Sequence, residues 1–205
     1  MKRLLAVMAL LPALWNGASA ITPEEAFTSA PAEVFPLLDR NSRLDMLDYF
    51  RSGLDTPTAN RLDGRSAVTG LSSGSLSVRL SDVSTAQLVV LPSRGDTIVA
   101  VVTTMNVPAK DSSIAFYTSD WQPLATDSYF KAPTLADWTA KGHRAAELEQ
   151  NVPFMLAAID IDQPAGTLTL TNSLAEFLAP EVYGSISGAI VPSITYRWDG
   201  RHYSR

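Results

Sequence analysis

The sequence contains no cysteine among its 205 residues. This absence excludes disulfides, thiol nucleophiles, thiolate zinc sites and iron–sulfur clusters. It also excludes a lipoprotein signal, which needs a cysteine at the cleavage point to carry the lipid. The fold must therefore be stabilised by a hydrophobic core, and a chain of this length with 46% hydrophobic residues can form one.

Apolar runs long enough to cross a bilayer are lacking as well. The run at residues 4–14 is well short of the roughly 20 residues that a membrane span needs. Lys2 and Arg3 precede this run, and Ala18-Ser19-Ala20 follows it with small residues that a signal peptidase accepts. We therefore predict that residues 1–20 are a cleaved signal peptide. Residues 21–205 would be an exported protein, periplasmic or secreted, with no membrane span after cleavage.

Basic residues are too few to give the protein a positive surface. Without Lys2 and Arg3, 14 basic and 21 acidic residues remain, so the net charge is −7 with both histidines neutral. Such a surface repels phosphate backbones, and no basic stripe or basic amphipathic segment offsets it. Nucleic acid and anionic lipid surfaces are therefore excluded as expected partners.

The N-terminal part carries two helix patterns. Thr22 and Glu25 can form a capping box, which predicts a short helix that extends to about residue 29. A second helix is predicted with Asn41 or Ser42 as its N-cap and Gly53 as the left-handed residue that ends it. The predicted apolar face of this second helix consists of Leu44, Leu47 and Phe50, with Met46 beside it.

From residue 67 to residue 121 the hydrophobic pattern changes from helical to alternating. Five runs of β-branched and aliphatic residues, separated by short turns, predict an antiparallel meander. The fourth run is continuously apolar from Ile98 to Val102, which is typical of a central strand covered on both faces. The predicted strands comprise residues 68–71, 76–80, 86–91, 97–105 and 114–117.

The second half repeats this order of helix followed by strands. Residues 154–161 and 167–171 are predicted strands, Ser173 with Glu176 is a further predicted capping box, and Asp199-Gly200 predicts a two-residue hairpin turn. The sequence thus predicts an α+β fold, a largely antiparallel sheet with helices packed on one face. A single domain is favoured, and two helix-plus-sheet subdomains that meet near residues 123–133 are the alternative.

The sequence matches one motif of nucleophilic catalysis. Residues 70–74 match the G-x-S-x-G motif of serine hydrolases, in which the serine lies on a sharp turn between a strand and a helix. Here a second strand is predicted after Ser72, which favours a hairpin turn. The two histidines that a triad would need, His143 and His202, are expected in loops or at an edge.

Two pairs of carboxylates have spacings that could suit chemistry. Asp160 and Asp162 alternate on a predicted strand and point the same way, so they could share a cation. Asp45 and Asp48 are three residues apart on one predicted helix, which could suit acid and base catalysis. Both patterns are also typical of solvated surfaces. We predict no metal and no cofactor.

Tryptophan and tyrosine are the most informative residues for binding. Their side chains combine apolar area with a polar tip, which suits clefts for glycans and peptides, although core packing also uses them. We place the candidate cleft between the segment 121–138 and the C-terminal hairpin. The candidate binding residues are Trp121, Tyr129, Trp138, Tyr196 and Trp198.

Several stretches resemble one family across almost the whole chain after residue 20. The most specific is the segment 36–50, which reads P-L-L-D-R-N-S-R-L-D-M-L-D-Y-F, and residues 86–92, Asp96-Thr97 and 195–198 add to it. Together they resemble a family of uncharacterised exported proteins, a domain of unknown function, of Bacteroidales-type bacteria. The resemblance implies export and transfers no catalytic residue.

We expect a non-catalytic exported module that binds a protein, peptide or glycan, because no nucleophile, metal or cofactor pattern stands out. A hydrolase that uses carboxylates such as Asp45, Asp48 or Asp160 is one alternative. A scaffold or inhibitor that acts only through protein contacts is the other, and it would show a large exposed apolar patch.

Overall fold

The computed structural model describes residues 21–94 and 96–205, so the predicted signal peptide lies outside the described residues. Within them, the chain forms six α-helices and eleven strands in two antiparallel sheets. The predicted α+β class is confirmed. None of the described helices has the length and apolar content needed to cross a bilayer.

The bounds of the elements are as follows. The helices are α1 (Pro23–Ser29), α2 (Arg40–Arg51), α3 (Leu135–Trp138), α4 (Ala145–Glu149), α5 (Leu174–Phe177) and α6 (Pro180–Ile186). The strands of the large sheet are β1 (Thr58–Ala59), β2 (Arg65–Leu71), β3 (Ser75–Ser81), β4 (Ser84–Pro92), β5 (Thr97–Met105), β6 (Asp111–Thr118) and β7 (Pro123–Leu124). The strands of the small sheet are β8 (Ala157–Asp162), β9 (Thr167–Asn172), β10 (Ser193–Trp198) and β11 (Tyr203–Ser204).

The large sheet is a meander of seven strands in chain order. Each of the five predicted strands is present, and each pairs antiparallel with the next. In the centre, β5 pairs with β4 through Ala100 opposite Val89 and with β6 through Ala100 opposite Phe116. Residues 98–102 are all buried, which confirms that this strand is covered on both faces.

A separate hydrophobic cluster covers each face of the large sheet. The helix-side cluster joins α1 and α2 to one face and includes Phe27, Met46 and Val99. The inter-sheet cluster joins the opposite face to the small sheet and includes Phe116 and Leu168, and α3 to α6 also contribute to it. Helices α1 and α2 thus cover one face as predicted, and the small sheet forms a further layer on the other.

Helix α2 begins earlier than predicted. Its N-cap is Asp39, whose Oδ1 accepts a hydrogen bond of 2.8 Å from the backbone N–H of Ser42. The prediction of Asn41 or Ser42 as N-cap is therefore wrong, because the carboxylate of Asp39 is already placed to satisfy a free N–H group of the first turn. Gly53 follows the helix with φ of +68°, as predicted.

The buried stripe of α2 also differs from the prediction, because it includes a charged residue. Arg43 is only 4% exposed, whereas Leu44 and Phe50 are each 36% exposed. The guanidinium of Arg43 lies 5.9 Å from the ring centre of Phe27 and 6.0 Å from that of Phe35. The long arginine side chain thus packs on the core side of the helix, whereas Leu44 is turned toward solvent.

One predicted turn and one predicted helix cap are formed by different groups in the structure. The C-terminal hairpin pairs Trp198 with Tyr203 across a four-residue loop, in which Asp199 Oδ1 accepts 2.8 Å bonds from the N–H groups of Arg201 and His202. The predicted two-residue turn is wrong because this aspartate side chain closes a wider loop. The predicted capping box of Ser173 does not form, because the N–H of Glu176 donates to the backbone carbonyl of Ser173 and not to its hydroxyl. Asn172 Oδ1 accepts a bond from the N–H of Leu174.

Candidate functional site

A cleft of about 1220 Å³ lies where several turns of the large sheet meet the start of α1. We name it the Trp121 cleft. Its walls come from α1, the β2–β3 turn, the end of β4, the start of β5, the β6–β7 turn and the β8–β9 turn. The polar side chains on these walls are Thr22, Glu25, Ser29, Ser73, Ser93, Asp96, Thr97, Ser119, Asp120 and Gln163.

Trp121 is held in place by contacts on three sides. Its indole Nε1 donates a 3.1 Å hydrogen bond to Ser29 Oγ of α1, and its ring lies 5.2 Å from that of Tyr117. Its backbone N–H donates to the carbonyl of Thr118 at 3.0 Å, which closes the β6–β7 turn. The φ of Trp121 is +63°, a left-handed conformation that is costly for a bulky residue. The surrounding contacts therefore fix an otherwise unfavourable turn at the wall of the cleft.

The charge of the cleft is negative. Among the described residues, Glu25, Asp96 and Asp120 are the three ionisable ones in its lining, which includes no described lysine, arginine or histidine. The Glu25 carboxylate accepts bonds from the N–H of Thr22 at 2.9 Å and from its hydroxyl at 3.0 Å. These bonds hold the pKa of Glu25 below its usual value, so this carboxylate is ionised at neutral pH.

Two turns from distant parts of the sequence touch at the cleft wall. Gly74 of the β2–β3 turn and Gln163 of the β8–β9 turn both line the cleft. A Cβ atom at position 74 would overlap the side chain of Gln163, so any larger residue there would require that side chain to move. The glycine at position 74 therefore reflects this close contact and does not mark an oxyanion hole.

The G-x-S-x-G segment forms the β2–β3 hairpin turn, as predicted. Ser72 Oγ accepts a 3.0 Å bond from the N–H of Ser75. Strand β3 begins at Ser75, where the hydrolase motif would have a helix. Both histidines lie in exposed positions beside carboxylates: His143 Nδ1 is 3.3 Å from Glu147, and His202 Nδ1 is 3.3 Å from Asp199. Each histidine thus has a carboxylate partner within four residues in the sequence.

The candidate carboxylate pairs lie outside the cleft. Asp45 and Asp48 are exposed on α2, and Asp160 and Asp162 are exposed on β8. Asp162 Oδ1 accepts a 3.1 Å bond from the N–H of Ala165 and so caps the β8–β9 turn. Within residues 21–94 and 96–205, no group of three or more histidines and carboxylates is close enough to hold a metal ion.

The five candidate aromatic residues do not form one surface. Trp121 lines the cleft, whereas Trp138 and Tyr196 are 1% and 5% exposed in the inter-sheet cluster. Tyr129 stacks on Phe116, and Trp198 packs beside Tyr203 and donates from Nε1 to the carbonyl of Pro92 at 2.7 Å.

The space proposed between the segment 121–138 and the C-terminal hairpin is filled. Tyr203 N donates to the carbonyl of Tyr129 at 2.7 Å, and the rings of Phe130 and Tyr196 meet edge to face at 5.2 Å. The Trp121 cleft instead opens at the other end of this segment. Glu25 and Gln163 were missed as lining residues because only the tertiary fold brings their turns together.

Comparisons with known proteins agree with this architecture. The model of one family, "Protein of unknown function (DUF3256)", matches residues 16–203. A solved structure of a domain of an uncharacterised protein from Porphyromonas gingivalis W83 is similar, with a TM-score of 0.73 and 22% identity. The similarity covers 89% of this chain and 96% of that one, and it shows the fold alone. No curated protein matches the chain.

Because the family model matches nearly the whole chain, the protein belongs to the DUF3256 family. The resemblance to a domain of unknown function is thereby confirmed, and export stays a prediction.

Proposed function

We propose that this DUF3256 protein is an exported, non-catalytic binding module that holds a peptide or glycan in the Trp121 cleft. The observation that carries the proposal is the lining: in the part of the chain that the structure describes, it has six hydroxyl side chains, three carboxylates and an indole, and no basic side chain. Such a surface offers many hydrogen bonds and attracts positive charge. The preferred ligand is therefore a polar peptide or glycan that carries positive charge.

The lowered pKa of Glu25 favours a role in binding over a role as a catalytic acid. A carboxyl group that donates a proton near neutral pH needs a raised pKa, whereas hydrogen bonds from Thr22 lower the pKa of Glu25. Its Oε2 atom accepts both bonds from Thr22 and so completes the capping box of α1, which commits this oxygen to the fold.

Export is supported by the leader-like residues 2–20. If the proposal is correct, N-terminal sequencing of the protein from a periplasmic fraction or culture medium will begin at Ile21. Arginine in place of Ala18 and Ala20 should block processing. Recovery of the unprocessed wild-type chain in the membrane fraction would contradict export as a free protein.

Binding in the cleft can be tested by calorimetric titration with four probes of defined charge. The probes are tetralysine, tetraglutamate, a glucosamine tetramer and the N-acetylated form of that tetramer. We expect the two cationic probes to bind best and tetraglutamate not to bind. Asn at both Asp96 and Asp120 should weaken cationic binding by about tenfold or more.

The matched control removes the same number of charges away from the cleft. Asn at both Asp45 and Asp48, which are exposed on α2, should leave the affinity unchanged apart from a small effect of net charge. Equal losses in the cleft variant and in this control would show that binding is non-specific. Binding of tetraglutamate, or of no probe, would contradict the proposed ligand class.

A further inference from the structure

We propose a second, smaller binding site on the other side of the molecule, which takes a compact apolar molecule with an uncharged or cationic head. It is a pocket of about 360 Å³ between β6, β8 and the segment that leads into α3. We name it the Trp138 pocket, because Trp138 forms part of its wall. It shares no lining residue with the Trp121 cleft.

The floor of the Trp138 pocket is apolar and belongs to the core. Phe130, Trp138, Ile159 and Leu170 line it and are members of the inter-sheet cluster. These side chains are fixed by packing between the two sheets, so the pocket is preformed. Small-molecule sites typically have volumes of about 300–1,000 Å³ and mainly apolar walls, and this pocket fits that description.

The indole of Trp138 gives the pocket a specific polar feature. The other two described tryptophans donate from Nε1, Trp121 to Ser29 and Trp198 to Pro92. Trp138 lines the pocket and is 1% exposed, and no hydrogen bond from its Nε1 is formed within the described residues. The atom is not among the buried polar atoms that lack a partner, so it retains some contact with solvent. An aromatic wall with such a polar tip suits a ligand that carries an oxygen or a π-system.

The solvent side of the pocket selects against negative charge. Asp111 and Asp127 line it and are both exposed, and no lysine or arginine of residues 21–94 and 96–205 lines it. Lys131 follows Phe130 in the chain and is exposed, but it does not line the pocket. An anionic head would face two carboxylates, whereas an ammonium or hydroxyl head could hydrogen-bond to them. The occupant is therefore an apolar body with an amine or alcohol head.

The test uses three small molecules that differ only in the head group: 3-phenylpropylamine, 3-phenylpropanol and 3-phenylpropanoate. Binding is followed by the NMR signal of the Trp138 indole N–H on titration into the purified protein. We expect the amine and the alcohol to shift this signal saturably. The propanoate should bind at least about tenfold more weakly than the amine, because of its charge.

A pair of matched variants locates the binding. Ala132 is exposed and lines the pocket, so Ala132→Phe should block it and abolish the shift. Ala136→Phe places the same side chain at an exposed position of α3 outside the pocket and should leave binding intact. The wild-type pattern of the remaining NMR signals shows that each variant is folded.

A second arm tests the charge selectivity independently of the blocking variant. Asn at both Asp111 and Asp127 should reduce the preference for the amine over the propanoate to about twofold or less. The proposal is overturned if none of the three molecules shifts the Trp138 signal, if Ala132→Phe binds normally, or if the propanoate binds as well as the amine.

Discussion

The side-chain amide of Gln87 on β4 pairs with the backbone of Ile161 on β8 through two hydrogen bonds. Nε2 donates to the Ile161 carbonyl at 2.9 Å, and Oε1 accepts from the Ile161 N–H at 3.0 Å. On the same edge of β8, Ser112 Oγ accepts from the N–H of Ile159 at 2.9 Å. Side chains of the large sheet thus satisfy backbone groups on the edge of the small sheet and close it to further pairing.

Replacing Gln87 by leucine should destabilise the fold. The substitution keeps a similar volume but leaves a buried N–H and a buried C=O of β8 unpaired, so we expect a loss of about 2–4 kcal/mol in unfolding free energy. Guanidinium unfolding followed by circular dichroism measures the loss. Gln122→Leu, at an exposed position, is the control and should change stability by less than about 0.5 kcal/mol. Similar stability of both variants would show that the Gln87 pair contributes little.

Replacing Arg43 by lysine should lower the stability of the protein. The Arg43 guanidinium donates to the Phe27 carbonyl at 2.8 Å and lies against two aromatic rings, contacts that an ammonium group cannot all make. We expect Arg43→Lys to lower the unfolding free energy by about 1–3 kcal/mol. Arg40→Lys, in the exposed first turn of α2, should be neutral. If thermal unfolding of the two variants coincides, the guanidinium contacts do not matter for stability.

The buried Tyr203 should make the stability of the protein fall as the pH rises in the alkaline range. Burial raises the pKa of Tyr203 above its usual value of 10.0, and its hydroxyl has no hydrogen-bond partner among the described residues. Above that pH the unfolded chain releases the tyrosine proton while the folded protein retains it, so stability falls as pH rises. We expect Tyr203→Phe to be at least as stable as wild type at pH 7 and to lose less stability between pH 9 and pH 11.

Urea titrations across this pH range provide the measurement. Tyr49→Phe, which removes the hydroxyl of a partly buried tyrosine on α2, is the control for loss of a hydroxyl. A steeper alkaline loss in Tyr203→Phe than in wild type would contradict the expected sign.

The contact between Gly74 and Gln163 can be tested by a double-mutant cycle. Gly74→Ala should destabilise the protein by about 1 kcal/mol, because the new methyl group overlaps the Gln163 side chain. In a Gln163→Ala background the same change should be nearly neutral, since the obstructing side chain is gone. Gly188→Ala, where nothing lies within 4 Å of the new methyl group, is the control. Additive effects in the cycle would mean that the two turns are not in contact.

Local patterns predicted the local elements well. The capping box of Thr22 and Glu25 and the five alternating runs are in the structure because each depends on residues close in sequence. The buried position of Arg43 was not predictable in this way, since its partners are an aromatic pair and a carbonyl from residues 27–35. A charged residue at helical spacing normally indicates the solvent face, and only tertiary packing reverses this.

The candidate site was predicted only in part for a similar reason. Trp121 was identified because tryptophan is common in binding clefts, and it does line one. The other walls come from turns that are far apart in sequence, such as those of Gly74, Asp96 and Gln163. No periodicity links these turns. Trp138 and Tyr196 were predicted on the same ground as Trp121, because such aromatic residues are common in binding clefts. In the structure both are buried in the inter-sheet cluster.

The distribution of tryptophan gives each side of the large sheet its own optical reporter. Trp121 belongs to the helix-side cluster and Trp138 to the inter-sheet cluster. Variants in which one of these two indoles is the sole remaining tryptophan would therefore emit from a single known layer. Time-resolved fluorescence during refolding could then reveal which layer consolidates first, without any attached dye.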